Sequence, residues 1–184
     1  MIDEKEKNIL IQLEFERATA FLNEIDTTQI HIKFLTSAHN TYYALYHAIC
    51  ALNITYDLPT PRTHKGLLNK TYIDFVKTGI LSPDDNKICI KAETIRNKCD
   101  YDGRYKPDKE VIEKNFYEVE KLIEKIRRIC ENKQKEITSN HNIDNKQNET
   151  PDEHPKHTKQ EIEDWLNKSW GLDEPYEHSK EKTP

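Results

Sequence analysis

Arg96-Asn97-Lys98-Cys99-Asp100-Tyr101 sets a guanidinium, an amide, a carboxylate and a phenol within six residues. A guanidinium is planar, permanently charged and forked, which suits it to gripping a phosphate. Asn97 and Asp100 are spaced to orient Arg96, and Tyr101 offers a hydroxyl donor to a phosphate oxygen. The candidate catalytic residues are therefore Arg96, Asn97, Asp100 and Tyr101. The same spacing also has a plainer use. Arg96 and Asp100 stand four apart, the separation of an ordinary helical ion pair, and Tyr101 is then a packing residue with its hydroxyl at the surface. Upstream, His39 and His47 are candidate supporting bases, with Tyr43 between them as a stacking or packing ring. His47 also reads as a hydrogen-bonded core histidine.

Helices have to position these groups. Apolar residues Ile9, Leu10, Leu13, Ala18, Phe21, Leu22 and Ile25 recur at three- and four-residue steps, which predicts a first helix from Asp3 to about Glu24. Asp26-Thr27-Thr28 supplies N-cap chemistry for a second helix from about Gln29 to Leu52. Its aromatic residues Tyr42, Tyr43 and Tyr46 cover more than one face, and Ala44 and Ala48 permit close approach, so it is the expected centre of the fold. Asp57-Leu58-Pro59-Thr60-Pro61 breaks the pattern. A weaker helix follows to about Lys77, with Gly79 placed to end it. Ser82-Pro83-Asp84-Asp85 is a strong start signal, combining a serine cap, proline in the first turn and acids facing the helix dipole. The helix it opens ends in the arginine cluster, ahead of a turn at Asp102-Gly103. After Pro107-Asp108 a long amphipathic helix is predicted through Val111, Ile112, Phe116, Val119, Leu122, Ile123, Ile126 and Ile129.

Composition agrees with an all-α chain. Charged residues are 33%, hydrophobic ones 35%, and glycine is scarce at four, which does not suit a sandwich of many tight turns. The formal charge of −5 divides unevenly: residues 1–130 carry 20 acidic and 20 basic side chains, residues 131–184 carry 13 and 8. A balanced domain gives no reason to expect general DNA binding. Cys50, Cys89, Cys99 and Cys130 form no C-x-x-C pair, the start of the chain is charged, and no apolar run reaches membrane-spanning length. The expectation is a cytoplasmic protein with reduced thiols, without a membrane segment, a metal site or a cofactor.

The organisation expected is a helical domain over 1–131, a disordered polar linker over 132–155 and a tail over 156–184. The linker is almost devoid of apolar side chains and cannot offset its ordering entropy. In the tail, Thr158-Lys159-Gln160-Glu161 is a capping box. Ile162, Trp165, Leu166 and Trp170 follow at near-helical spacing, a docking face for a partner or for the chain's own domain, where it could cover the cleft.

Asn40-Thr41-Tyr42-Tyr43-Ala44-Leu45-Tyr46-His47-Ala48 resembles the second-helix pattern of HEPN domains, the higher-eukaryote and prokaryote nucleotide-binding family. Arg96-Asn97-Lys98-Cys99-Asp100-Tyr101 is similar to the Arg-x-x-Ala-Asp-Tyr ending of a compact prokaryotic subgroup, and Asp74-Phe75-Val76-Lys77-Thr78-Gly79 matches that subgroup in type and position. The resemblance covers about residues 5–130. It implies a four- or five-helix bundle that forms a homodimer through the arginine-bearing helix. It also implies a metal-independent endoribonuclease, acting on RNA as a toxin or defence effector. Its partner would be a small nucleotidyltransferase antitoxin able to modify a tyrosine near the motif, here Tyr101. Many members place histidine five to seven residues after the arginine; five residues after Arg96 this chain has Tyr101. A phenol titrates at about 10, far from the range that suits a general base. Two other functions fit the same residues: a non-catalytic helical adaptor working through its dimer and tail, and a nucleotide-binding module that does not cut RNA.

Overall fold

The most apolar helix of the chain lies at its centre. The computed structural model describes residues 3–60, 63–144, 157–162 and 164, and every regular element among them is helical. Five α-helices form the bundle: α1 (Glu4–Asn23), α2 (Phe34–Thr55), α3 (His64–Thr71), α4 (Pro83–Tyr101) and α5 (Lys109–Asp144). A π-helical turn, Tyr72–Val76, extends α3. Helices α1, α4 and α5 all pack on α2, which is buried nearly throughout. Ala44, Ala48 and Ala51 let its neighbours approach closely, while Leu45, Ile49 and Leu52 fill the space between them. Each of those large side chains contributes about 1.5–3 kcal/mol by leaving water.

The helix ends follow local chemistry. Asp3 and Glu6 close a capping box at the start of α1. Ser82 and Asp85 close another at α4, with Pro83 in its first turn. Gly79 takes φ +81°, the left-handed conformation glycine adopts without a Cβ clash, and turns the chain back after the π turn. Asp102 opens the turn between α4 and α5, its carbonyl accepting from Tyr105 N at 2.8 Å.

Two boundaries differ from expectation. Helix α2 begins at Phe34 rather than near Gln29. Asp26 uses its carboxylate on Thr28 N and Oγ1, at 3.0 and 2.6 Å, and so caps a local turn. The turns that follow bury Ile30 among Ile25, Ala38, Ile95, Cys99, Ile112 and Phe116, and that burial outweighs five more residues of helix. At the other end, α5 does not stop at the boundary expected near 131 but continues to Asp144. Propagation from an existing helix needs only ordinary propensity, which Glu, Lys and Gln supply. Lys133 pairs with Glu136 at 3.3 Å, and Gln134 donates to Asn8 of α1 at 2.7 Å. The rest of the expected linker lies outside the described residues.

The tail segment that is described folds back onto α1. Thr158 and Glu161 form the expected capping box. Lys159 Nζ meets Glu16 at 3.0 Å, and Ile162 is buried against Leu10 and Leu13. Trp165, Leu166 and Trp170 lie outside the described residues. Cys50, Cys89, Cys99 and Cys130 are all free thiols and all buried.

Candidate functional site

The last two turns of α4 face the first half of α2, and the arginine cluster sits at that seam. Arg96 lies largely out of solvent, with Nε 2.7 Å from Asp100 Oδ2. The Nε–H does not point along that line and has no hydrogen-bond acceptor, so the contact is an ion pair that leaves a donor unsatisfied. A second nitrogen, Nη1, donates to Asn97 Oδ1 at 3.1 Å. Three tyrosine rings surround the guanidinium carbon: Tyr101 at 5.7 Å, Tyr43 at 5.8 Å and Tyr42 at 6.0 Å. Arginine is well suited to such a cradle, because its delocalised charge stacks on ring faces. Burial opposes the charge of Arg96, but Asp100, Tyr43 and Tyr101 more than compensate, so it holds its proton more firmly than an ordinary arginine.

Helix α2 contributes the imidazole that the local motif lacks. The His39 ring packs on Tyr43 at 4.4 Å between centroids. Tyr43 in turn stacks on Phe21 of α1 at 5.6 Å. Burial pushes the His39 pKa below its ordinary 6.5; Asp100 and Glu24 pull it up, while Arg96 acts with burial. Opposing charges from α4 and the end of α1 thus bear on one ring, and the net effect favours its neutral form. A neutral imidazole is the form that accepts a proton. Tyr43 is held protonated by burial, partly offset by Arg96, so it can donate but not serve as a base.

The candidate residues divide by position. Arg96, Asn97, Asp100, Tyr101, Tyr43 and His39 share one seam. Tyr101 is its exposed edge, at 73% relative exposure. His47 does not join them. It lies two helical turns further along α2, about 12 Å by helix rise, with Nδ1 2.8 Å from the fully buried Glu14. Arg17 completes that buried group at 3.4 Å from Glu14. His47 is thus the hydrogen-bonded core histidine rather than a supporting base. Ile162 does not cover the seam either. It sits on Leu10 and Leu13, whereas the seam meets α1 at Phe21 and Glu24, about 16 Å further along by helix rise.

Sequence reasoning missed Tyr42 and Glu24 as members of the site. Tyr42 reads as pure core from its aromatic neighbours and is indeed 2% exposed, yet one side of its ring faces Arg96. Glu24 ends α1 and accepts from Asn40 Nδ2 at 3.1 Å, a contact across sixteen residues that no local pattern signals. Among the described residues, no group of His, Cys, Asp and Glu is arranged to hold a metal ion, and no helix is long and apolar enough to cross a membrane.

Compared with known proteins, residues 11–135 match the family model described as HEPN domain. No curated protein matches the chain.

Proposed function

This chain belongs to the HEPN domain family, and on that premise we propose that it is a metal-independent endoribonuclease, the RNA-directed toxin or effector of a two-gene system. The observation that carries the reading is the placement of His39. A neutral imidazole from α2 stands over the same seam as Arg96, supplying the base that position 101 does not.

In this reading the Arg96 guanidinium binds the non-bridging oxygens of the scissile phosphate, while its buried Nε side stays against Asp100. His39 accepts the 2′-hydroxyl proton as the 2′-oxygen forms its bond to phosphorus. The bond to the 5′-oxygen breaks, and that oxygen leaves with a proton from the Tyr101 hydroxyl, which solvent replaces. The products are a 2′,3′-cyclic phosphate and a free 5′-hydroxyl, so no water is consumed in the step. Asp100 holds Arg96 in place and opposes the loss of charge at His39 that Arg96 would otherwise impose. In a homodimer formed on the exposed face of α4 around Ile90, with Tyr101 left at its rim, two such seams lie near each other. The exposed Tyr101 hydroxyl is also open to a nucleotidyltransferase partner, whose modification of it would remove the proton donor and block the phosphate site.

The experiment is cleavage of mixed cellular RNA by the intact chain, compared with Arg96→Ala, followed by analysis of the product ends. Cyclic phosphate ends from the wild type and none from the variant support the reading. Equal inactivity of both at high protein concentration sinks it. A second reading, a non-catalytic adaptor, draws on the seating of Ile162 and Lys159 on α1. It requires that removing residues 157–184 abolishes function in the cell while Arg96→Ala is tolerated. Titration with ATP tests the remaining alternative, a nucleotide-binding module.

A further inference from the structure

We propose that the end of α4 and the turn joining it to α5 form a track that holds single-stranded RNA beside Arg96, an inference that rests on the ribonuclease reading above. Residues 96–109 carry five cations, Arg96, Lys98, Arg104, Lys106 and Lys109, against three acids, Asp100, Asp102 and Asp108. This local excess lies within residues 1–130, whose charges balance in total.

Arg96 pairs with Asp100 and Lys109 with Glu113, but the other three of these cations stand apart from most others on the surface. Lys87, Lys91, Lys114, Lys125, Arg128 and Lys133 each have a carboxylate within 4.0 Å. Lys98, Arg104 and Lys106 are exposed, and no ion pair engages them among the described residues. Asp102, which might have neutralised Arg104, is committed to the backbone: its Oδ1 accepts from Arg104 N at 3.0 Å. That contact and the Tyr105 N to Asp102 O bond fix the turn. Open space surrounds Gly103 at the crest.

Aromatic rings alternate with these charges. Tyr101 is exposed next to Arg96, and Lys98 Nζ lies 5.3 Å from the Tyr105 ring. Unpaired cations follow a phosphodiester backbone, and exposed rings offer stacking surfaces to unpaired bases of any sequence. An acidic protein surface would also fit the charges and a tyrosine, and the salt slope with an oligonucleotide tests the single strand directly. A single strand uses both, and its scissile phosphate then falls at Arg96, where track and seam meet.

The test is fluorescence anisotropy with a labelled mixed-sequence 2′-O-methyl oligoribonucleotide, which binds but cannot be cut because its nucleophile is blocked. For a single strand, each phosphate contact contributes about 0.7 to the slope of log affinity against log salt. The triple variant Lys98→Ala, Arg104→Ala, Lys106→Ala is expected to lose about 2 from that slope, at three contacts. Lys121→Ala with Lys135→Ala, a pair of exposed cations on α5, should leave it unchanged. Circular dichroism melts confirm that each variant is folded. A triple variant with wild-type slope and affinity overturns the track, as does a wild type that fails to bind the oligonucleotide at low salt. The ribonuclease reading fails separately: if neither the wild type nor Arg96→Ala cuts RNA while the triple variant loses its slope, the track stands as a binding surface and the catalytic assignment does not.

Discussion

Arg96 presents its charge to three rings and one carboxylate, and that carboxylate also acts through space on His39 of the neighbouring helix. The two residues therefore have separable signatures. His39→Gln keeps a polar planar side chain but cannot take up a proton at working pH, so kcat should fall by about 10²–10⁴-fold. The pH profile provides the stricter check. Burial, opposed by Asp100 and Glu24 and aided by Arg96, depresses the His39 pKa below 6.5. Activity that needs the neutral ring should fall on the acid side with a midpoint below 6.5 and stay level above it. In His39→Gln the residual rate should lose that acid limb, an outcome that a merely structural histidine would not produce.

Helix α1 is fastened to α2 by a buried charge group, and α4 to α5 by a partly buried one. Glu14 is fully buried with His47 and Arg17 as its partners. Glu14→Ala leaves those donors without their acceptor and opens space beside Phe21, which stacks on His47 at 5.6 Å. Breaking one side of such a group costs about 3–5 kcal/mol, measurable as a lower midpoint in urea with an unchanged slope. The second fastening is pH-dependent. Burial pushes the Asp85 carboxyl up, but hydrogen bonds from Lys125 and from Ser82 outweigh it and hold the pKa below its ordinary 3.8. Because the folded value is the lower one, this group stabilises the fold fully above 3.8. The contribution is lost as pH falls through the folded value. Asp85→Asn should flatten the acid side of a stability-against-pH curve, read by thermal melts between neutral pH and pH 3.

Across the whole molecule, the described tail segment and the seam occupy different ends of α1. Ile162 fills a small apolar layer with Leu10 and Leu13, secured by Lys159 on Glu16. Ile162→Asp places a charge in that layer and should release the segment. Amide hydrogen exchange around residues 10–13 should then quicken and the melting midpoint fall, while RNA cleavage per folded molecule stays within about twofold, since α1 meets the seam elsewhere. Loss of cleavage in this folded variant would instead tie the tail to the catalytic seam.

Much of this architecture is written in short-range patterns. Ser82-Pro83-Asp84-Asp85 specifies the start of α4 through its own side chains, Gly79 the reversal before it, and Thr158 with Glu161 the start of the tail helix; each is settled within four residues. The apolar periodicity of α2 likewise marks it as the centre, because a helix apolar on more than one face must be surrounded. The family follows from motifs at 40–48, 74–79 and 96–101. Other features depend on contacts that no window contains. Asp26 caps a turn instead of a helix because Ile30 finds a pocket built from α4 and α5. His39 and His47 look alike on one helix, eight residues apart. Only packing distinguishes them, since one meets Asp100 and Arg96 from α4 and the other meets Glu14 from α1. The six residues ending at Tyr101 provide the cation, while the imidazole near it comes from tertiary structure. Charge and burial act through space, and the partners of a side chain are set by which helices pack against it.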